Sequence, residues 1–310
     1  MRIAVVGVGG VGGYFGGRLA QAGHEVYLIA RGANLAAIQA EGLRIESPAG
    51  DVLIHPAGAT AVPAEVGPVD YVLVGVKTWQ LAEAAQQLRP LLGPHTAVVP
   101  LLNGVEAGET LATILGSQHV LAGLCRIIAE LAAPGLIRHH GIVPSVAFGA
   151  YDGSHNERAE ALQAAFQTAG VQAEIPPDIA VAIWQKFLLI CTWSGLGAIT
   201  RAPIGVWRGL PGTRMLAERV LAEVAAVAQA RGVALPAEAP QATLAFLDSV
   251  PATGTASMQR DLVEGRPSEL EAQNGAVVRL GAAAGVPTPA NAFIYHCLLP
   301  QEQAARAGKA

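Results

Sequence analysis

The chain has 310 residues, 52% of them apolar and 14% charged, with a net charge of −4. That length exceeds what one hydrophobic core usually sustains, so two domains are expected, and the composition excludes a disordered chain. The small negative charge, with no cluster of Lys and Arg, argues against a nucleic-acid partner.

Residues 1–6 place Ile3, Ala4, Val5 and Val6 in a row, as a buried strand does. They run into a Gly-rich turn, which separates this start from a leader segment. Residues 10–22 read as a helix and 24–30 as a second strand, together a βαβ unit with parallel pairing. "GLRIESPAGDVLIH" (42–55) reads as two short strands around a Pro-Ala-Gly turn. "DYVLVGVK" (70–77) is another buried strand. "LAEAAQQLRPLLG" (81–93) is an amphipathic helix stopped by Pro and Gly. "TAVVPLLNG" (96–104) and "HVLAGLCRIIAE" (119–130) read as strands, and 135–150 as a closing antiparallel pair with His139 and His140 at a strand end. A helix follows at 157–169.

After "EIPPD" (174–178) the alternation gives way to helices at 179–199, 212–231, 239–248, 257–265, 268–284 and 290–301. The Pro-Pro pair is a plausible hinge. The expected architecture is an α/β domain over 1–176 followed by an all-α domain over 177–310. "IAVAIWQKFLLICTWSGLGAI" is long enough to span a bilayer. Gln185 and Lys186 near its middle favour a buried helix instead, so no membrane partner is expected. Cys125, Cys191 and Cys297 lie far apart and read as free thiols of a reducing, cytoplasmic compartment. No His pair has ligand spacing, and no metal is expected. The apolar helical half is compatible with a homodimer.

Gly7-x-Gly9-x-x-Gly12 lies between the first strand and the first helix. In that context Gly7 permits the tight turn, Gly9 admits a pyrophosphate against the backbone, and Gly12 lets helix and strand approach. Val8, Gly10 and Val11 complete the turn, whose helix N-terminus faces the anion. A turn of the same shape without a ligand is the competing reading. An acidic residue is usual at the end of the second strand, where it takes the adenosine ribose hydroxyls. This chain has Arg31 there, and Glu25 comes too early to replace the missing acid. A guanidinium fork suits a 2′-phosphate, which favours NADP(H) over NAD(H); the competing reading is a solvated loop cation. Two further groups fall beyond strand ends, Lys77 and Gln80 in "VKTWQ" and Asn103 and Gly104 in "LLNGV". Lys77 would set a cation near the cofactor or a substrate carboxylate, and Asn103 would bond the nicotinamide ribose or the substrate. Each is equally readable as a turn residue.

Lys186 is the sole formal charge between Ile179 and Thr200. An ammonium on an apolar helix is a candidate general acid, able to protonate and electrostatically stabilise the alkoxide left when hydride reaches a ketone. A snorkelling lysine is the alternative. "SMQRDLVEGRPSELE" (257–271) gathers Ser257, Arg260, Asp261, Arg266 and Glu269. A structural Asp261–Arg266 pair and capping by Ser268 would explain much of it. Arg201 or Arg208, just after the long helix, would suit a substrate carboxylate.

"GVGGVG", "ARG", "VKTWQ", "LLNG", "WQKF", "SMQRDLVEGRPSELE" and "GVPTPAN" (285–291), in this order and spacing, resemble the ketopantoate reductases over nearly the whole chain. The resemblance implies a Rossmann-type parallel-sheet domain followed by an all-α helical domain, with the site in the cleft between them. It implies NADPH as cofactor and reduction of 2-dehydropantoate to pantoate, on the route to pantothenate and coenzyme A. By the same resemblance Lys186 is the proton donor, Asn103 lies near nicotinamide and substrate, and Ser257 binds substrate. Glu269 would lie near the cofactor ribose, and Arg31 and Lys77 near the cofactor phosphate and the active cleft. Many members carry Asn at the positions of Ile190, Ser194 and Ile204. Of these only Ser194 keeps a polar side chain for substrate, which leaves other 2-oxo acids open. Two further functions stay open: an opine-type dehydrogenase, and, suggested by the missing asparagines, an NADP-binding sensor without turnover.

Overall fold

A computed structural model describes residues 1–308. The chain forms two compact units, one of Met1–Leu102 with Glu106–Ile179, the other of Asn103–Val105 with Ala180 onward.

In the first unit β1 (Arg2–Val6) leads into α1 (Gly10–Gln21), β2 (Glu25–Ile29), α2 (Gly32–Glu41), β3 (Leu43–Glu46), β4 (Val52–Ile54) and β5 (Gly58–Thr60). Then come β6 (Val69–Val74), α3 (Leu81–Gln87), β7 (Leu92–Pro100), α4 (Ala107–Leu115), β8 (Ala122–Ala133), β9 (Leu136–Gly149), α5 (Glu157–Thr168) and β10 (Gln172–Glu174). Five strands make an all-parallel sheet in the order β5-β2-β1-β6-β7. Strand order reverses between β1 and β6, and in such sheets ligands bind beyond the strand carboxyl ends at that reversal.

The remaining strands form a second, mixed sheet, β10-β9-β3-β4 with β8 on β9. "HVLAGLCRIIAE" forms a strand as expected; as β8 it pairs antiparallel with β9, and Val120, just before β8, makes one parallel bridge to Val98 of β7. The sequence reading is corrected in one place. The supposed pair at 135–150 is the single 14-residue strand β9, with register shifts against Arg126–Ile128 and Leu131–Ala133 and with Gly141 at φ +71°. A bulge keeps one strand running where polar residues suggest its end. His139 therefore sits within β9. It is 4% exposed, with Nδ1 2.8 Å from Ser47 Oγ, Nε2 2.9 Å from Ile142 O, and its ring 4.9 Å from that of Tyr14.

Helix α1 packs on both sheets. A Cβ at Gly16 would lie 2.7 Å from Val5 Cγ2 of the parallel sheet, and one at Gly13 would lie 2.6 Å from Ile137 Cδ1 of the mixed sheet. Gly12 faces Val5 in the same way, Gly10 faces Ala129, and Gly17 faces Ile45. Glycine disfavours a helix by about 1 kcal/mol per residue relative to Ala. Close approach to a sheet on each side offsets that here, and Phe15 and Leu19 are fully buried on the same helix.

The second unit holds α6 (Ile179–Thr200), α7 (Ile204–Trp207), α8 (Pro211–Ala230), α9 (Ala239–Ser249) and α10 (Ser257–Val263). A π-helical turn at Glu271–Gly275, α11 (Ala276–Ala284) and α12 (Pro289–Ala307) complete it. Helix α6 is long and apolar enough to cross a membrane by length and composition. Its Trp184, Phe187, Leu188 and Cys191 instead share a buried cluster with Val220 and Val224 of α8 and Ile294 and Leu298 of α12. The helix expected over 268–284 starts later, because Ser268 and Glu269 are engaged by side chains from elsewhere in the unit. No disulfide links the cysteines: Cys125 and Cys191 are buried and Cys297 is exposed.

Candidate active site

The glycine turn is built as its spacing requires. Gly7 lies at φ +92°, and a Cβ there would come within 2.6 Å of Val76 N and 2.8 Å of the Gly75 carbonyl carbon. The loops after β1 and β6 thus meet at the strand-order reversal, helped by a 2.8 Å bond from Gly75 N to Val6 O. A Cβ on Gly12 would run into Gly7 O, whereas one on Gly9 would meet nothing within 4 Å. That open space over Gly9 adjoins the N-terminus of α1, which no side chain caps. Free first-turn amides, the helix dipole and room over the backbone fit a pyrophosphate.

Arg31 follows β2 after Ala30, as the N-cap residue of α2. Its side chain is 63% exposed and bonds Gln87 Oε1 at 2.8 Å, with Glu83 Oε1 at 3.9 Å. These are surface contacts that a phosphate can displace. Lys77 is exposed after β6, its Nζ 5.8 Å from the Trp79 ring centre. Gln80 serves the turn, its Oε1 accepting from Lys77 N at 3.3 Å. Glu25 is committed to Arg2 (3.0 Å) and Tyr27 (2.6 Å), and those two bonds hold its carboxyl below the usual range.

One contributor was missed in the sequence. Asn34 of α2 donates from Nδ2 to Val8 O and accepts at Oδ1 from Gly135 N, both at 2.8 Å. It ties the glycine turn to the β8–β9 hairpin. Its signal is faint: an amide in a short helix next to Arg31, whose partners lie 26 and 101 residues away.

In the second unit Asn103 and Glu269 are brought together, Asn103 Nδ2 donating to Glu269 Oε2 at 2.8 Å across 166 residues of sequence. Gly104 sits at φ +90°, and a Cβ there would lie 2.9 Å from Ala272 O. Lys186 is half-buried on α6, with Ile190 one turn on and Ser194 two turns on. Ser194 is 3% exposed. Ile204 is fully buried beside Trp207 in an apolar cluster, so that position belongs to the core. Ser257 is exposed at the first turn of α10. Of the two arginines after α6, Arg208 gives its Nη1 to Leu247 O (2.7 Å) and Val250 O (2.6 Å), which ties it to the end of α9. Arg201 is exposed at φ +54°, the one non-glycine residue with positive φ among those described. The Asp261–Arg266 pair forms as expected, at 2.8 and 3.0 Å.

Residues 3–153 match the family model described as ketopantoate reductase PanE/ApbA, and residues 178–302 match that of its C-terminal part. The chain belongs to the ketopantoate reductase PanE/ApbA family. Its relatives include the 2-dehydropantoate 2-reductase of Mesorhizobium japonicum, 33% identical over 93% of this chain and 94% of that one. A solved PanE/ApbA family ketopantoate reductase of Ralstonia eutropha JMP134 is 36% identical, with a TM-score of 0.90 over 99% of this chain and 100% of that one. A D-mandelate dehydrogenase, solved with NADH and anilino(oxo)acetate, is 25% identical with a TM-score of 0.88 over 99% of each chain. The chain is thus an oxidoreductase of a family whose related structures hold nicotinamide dinucleotides. The ketopantoate reductase fold explains the order of strands and helices and supports a dinucleotide at the glycine turn.

Proposed function

We propose that the chain reduces 2-dehydropantoate to pantoate with NADPH, in the cytoplasm, as a step toward pantothenate and coenzyme A. The observation that carries this reading is the open, uncapped glycine turn followed by a cation, Arg31, in a chain whose two halves both match the ketopantoate reductase family. NADPH, when bound, supplies the hydride. Gly7, Val8, Gly9, Gly10, Val11 and Gly12 receive the pyrophosphate on backbone amides, Arg31 takes the 2′-phosphate, and Lys77 adds positive charge at the neighbouring strand end. Asn103 and Glu269 orient the nicotinamide ribose, Asn103 also meeting the substrate. Ser257 and Ser194 bind substrate through their hydroxyls. Lys186 gives a proton to the carbonyl oxygen, and its charge stabilises that oxygen as it becomes an alkoxide.

A second reading, reduction of another 2-oxo acid with a branched or bulky apolar side chain, is favoured by Ile190. It lies one helical turn from Lys186, offers no hydrogen bond, and packs on the apolar cluster of the helical unit. A polar substrate group facing it would go unpaired, which weakens discrimination sharply. Loss of NADPH absorbance, followed with a panel of 2-oxo acids, tests both. The highest kcat/KM on 2-dehydropantoate supports the first reading; a higher value on an unhydroxylated branched or aromatic 2-oxo acid supports the second. Turnover of none would overturn the reductase itself.

A further inference from the structure

We infer that Glu302, on the last helix, is a positioning residue for Glu269 and acts through Ser268. This rests on the reading above in which Glu269 meets the cofactor. Glu302 is a carboxylate only 4% exposed. Its Oε2 accepts from Ser268 N at 2.9 Å and from Ser268 Oγ at 2.6 Å, and its Oε1 accepts from Ser268 N at 3.2 Å. Arg306, one turn further along α12, pairs with Oε1 at 2.7 Å and donates to Ser268 O at 3.1 Å. Every polar group of Ser268 is therefore held by one carboxylate–guanidinium pair. The hydroxyl also accepts from Leu270 N at 3.2 Å.

Helix capping alone does not call for this arrangement. An exposed serine caps a helix with no partner beyond the backbone. Taking a carboxylate out of water is expensive unless several donors meet it, and such groups fix one geometry more than they add stability. The geometry fixed here is that of the residue before Glu269. On the far side of the turn, Arg266 is held by Asp261, with Arg266 N to Asp261 O at 2.8 Å and Arg266 Nη2 to Asp261 Oδ1 at 2.8 Å. The segment between Arg266 and Leu270 is thus anchored at both ends. Glu269, itself 7% exposed, leaves it pointing at Asn103. The turn that follows holds the Glu269 carbonyl, which accepts from Ala272 N at 3.1 Å and Gln273 N at 3.0 Å, while the clamp on Ser268 fixes the chain as it enters Glu269.

The test is a double-mutant cycle on the full-length protein, read as NADPH dissociation constant by fluorescence titration, with Tm measured alongside. Glu302→Gln should weaken NADPH binding about tenfold, and Glu269→Gln by at least as much. The double variant should bind no more weakly than Glu269→Gln alone, because Glu302 has nothing left to position. If the two losses multiply, Glu302 acts on the fold in general and the inference is overturned. It is overturned equally if Glu269→Gln binds NADPH as the wild type does. Should Glu302→Gln fail to fold, Ser268→Ala takes its place in the cycle with the same expected outcomes. Failure of the proposed reaction is read separately, as NADPH binding without turnover of any 2-oxo acid.

Discussion

The candidate site of the α/β unit is shaped chiefly by backbone, whereas that of the helical unit is built from side chains. Around Gly7–Gly12 the site is made by leaving atoms out: a missing Cβ over Gly9 opens the space, and missing Cβ atoms at Gly7 and Gly12 let the loops close beneath it. Around Asn103, Glu269 and Ser268 the site is made by putting polar groups in, each held by another polar group from a distant part of the chain. The first kind depends on sterics and tolerates almost no added atom. The second depends on hydrogen-bond partners and tolerates shape better than it tolerates loss of charge.

The largest effect is expected from the side-chain half. Lys186→Ala should lower kcat by about 10²–10⁴-fold, as loss of a general acid does, with NADPH affinity within about twofold of wild type. Unchanged kcat would mean that the helical half carries no chemistry. Next come two glycines that separate opening from closing. Gly12→Ala overpacks the β1–α1 contact and should destabilise by about 1–3 kcal/mol, read as a lower Tm. Gly9→Ala should leave Tm unchanged yet weaken NADPH binding about tenfold or more, since its Cβ takes space needed by the pyrophosphate. Equal Tm losses in both would erase the distinction. Arg31→Ala should narrow the kcat/KM preference for NADPH over NADH by about 10–100-fold, in line with loss of a charge-assisted bond.

The smallest effect is expected far from either site. Arg214 bonds Asp248 at 2.5 and 2.8 Å, and that pairing lowers the Asp248 carboxyl from its ordinary value. The pair is solvent-exposed, so Asp248→Asn should destabilise by about 0.2–1 kcal/mol. Because the folded-state value is the lower one, the difference should be present in full above the ordinary carboxyl value near 3.9 and vanish as pH falls through the lowered one. Urea unfolding at several pH values reads this.

The same contrast explains what could be read in the sequence. The β1–turn–α1–β2 unit was legible because its glycine spacing and its run of Ile3–Val6 are local signals. Glycines at 10, 13, 16 and 17 also carry the message that α1 is gripped on two faces, but the motif spacing makes only the close approach at Gly12 legible. The second sheet went unread because β8 and β9 owe their place to pairing with each other and with β3, and the residues at 139–144 imitate a loop. Helix α2 and the short strands β5 and β10 lack the length for a periodic signal. In the helical half Lys186 stood out as a charge in an apolar run. Ser268 read locally as a cap, while the carboxylate that claims its hydroxyl lies 34 residues away. Arg208 looked free in the sequence for the same reason, its carbonyl partners being 39 and 42 residues on.

The most direct measurement is the amount of pantoate formed per NADPH consumed when the purified protein is given 2-dehydropantoate. One pantoate for each NADPH, at a rate that Lys186→Ala lowers by about 10²–10⁴-fold, is the predicted result. Tight NADPH binding with no pantoate formed and no NADPH consumed would contradict the account.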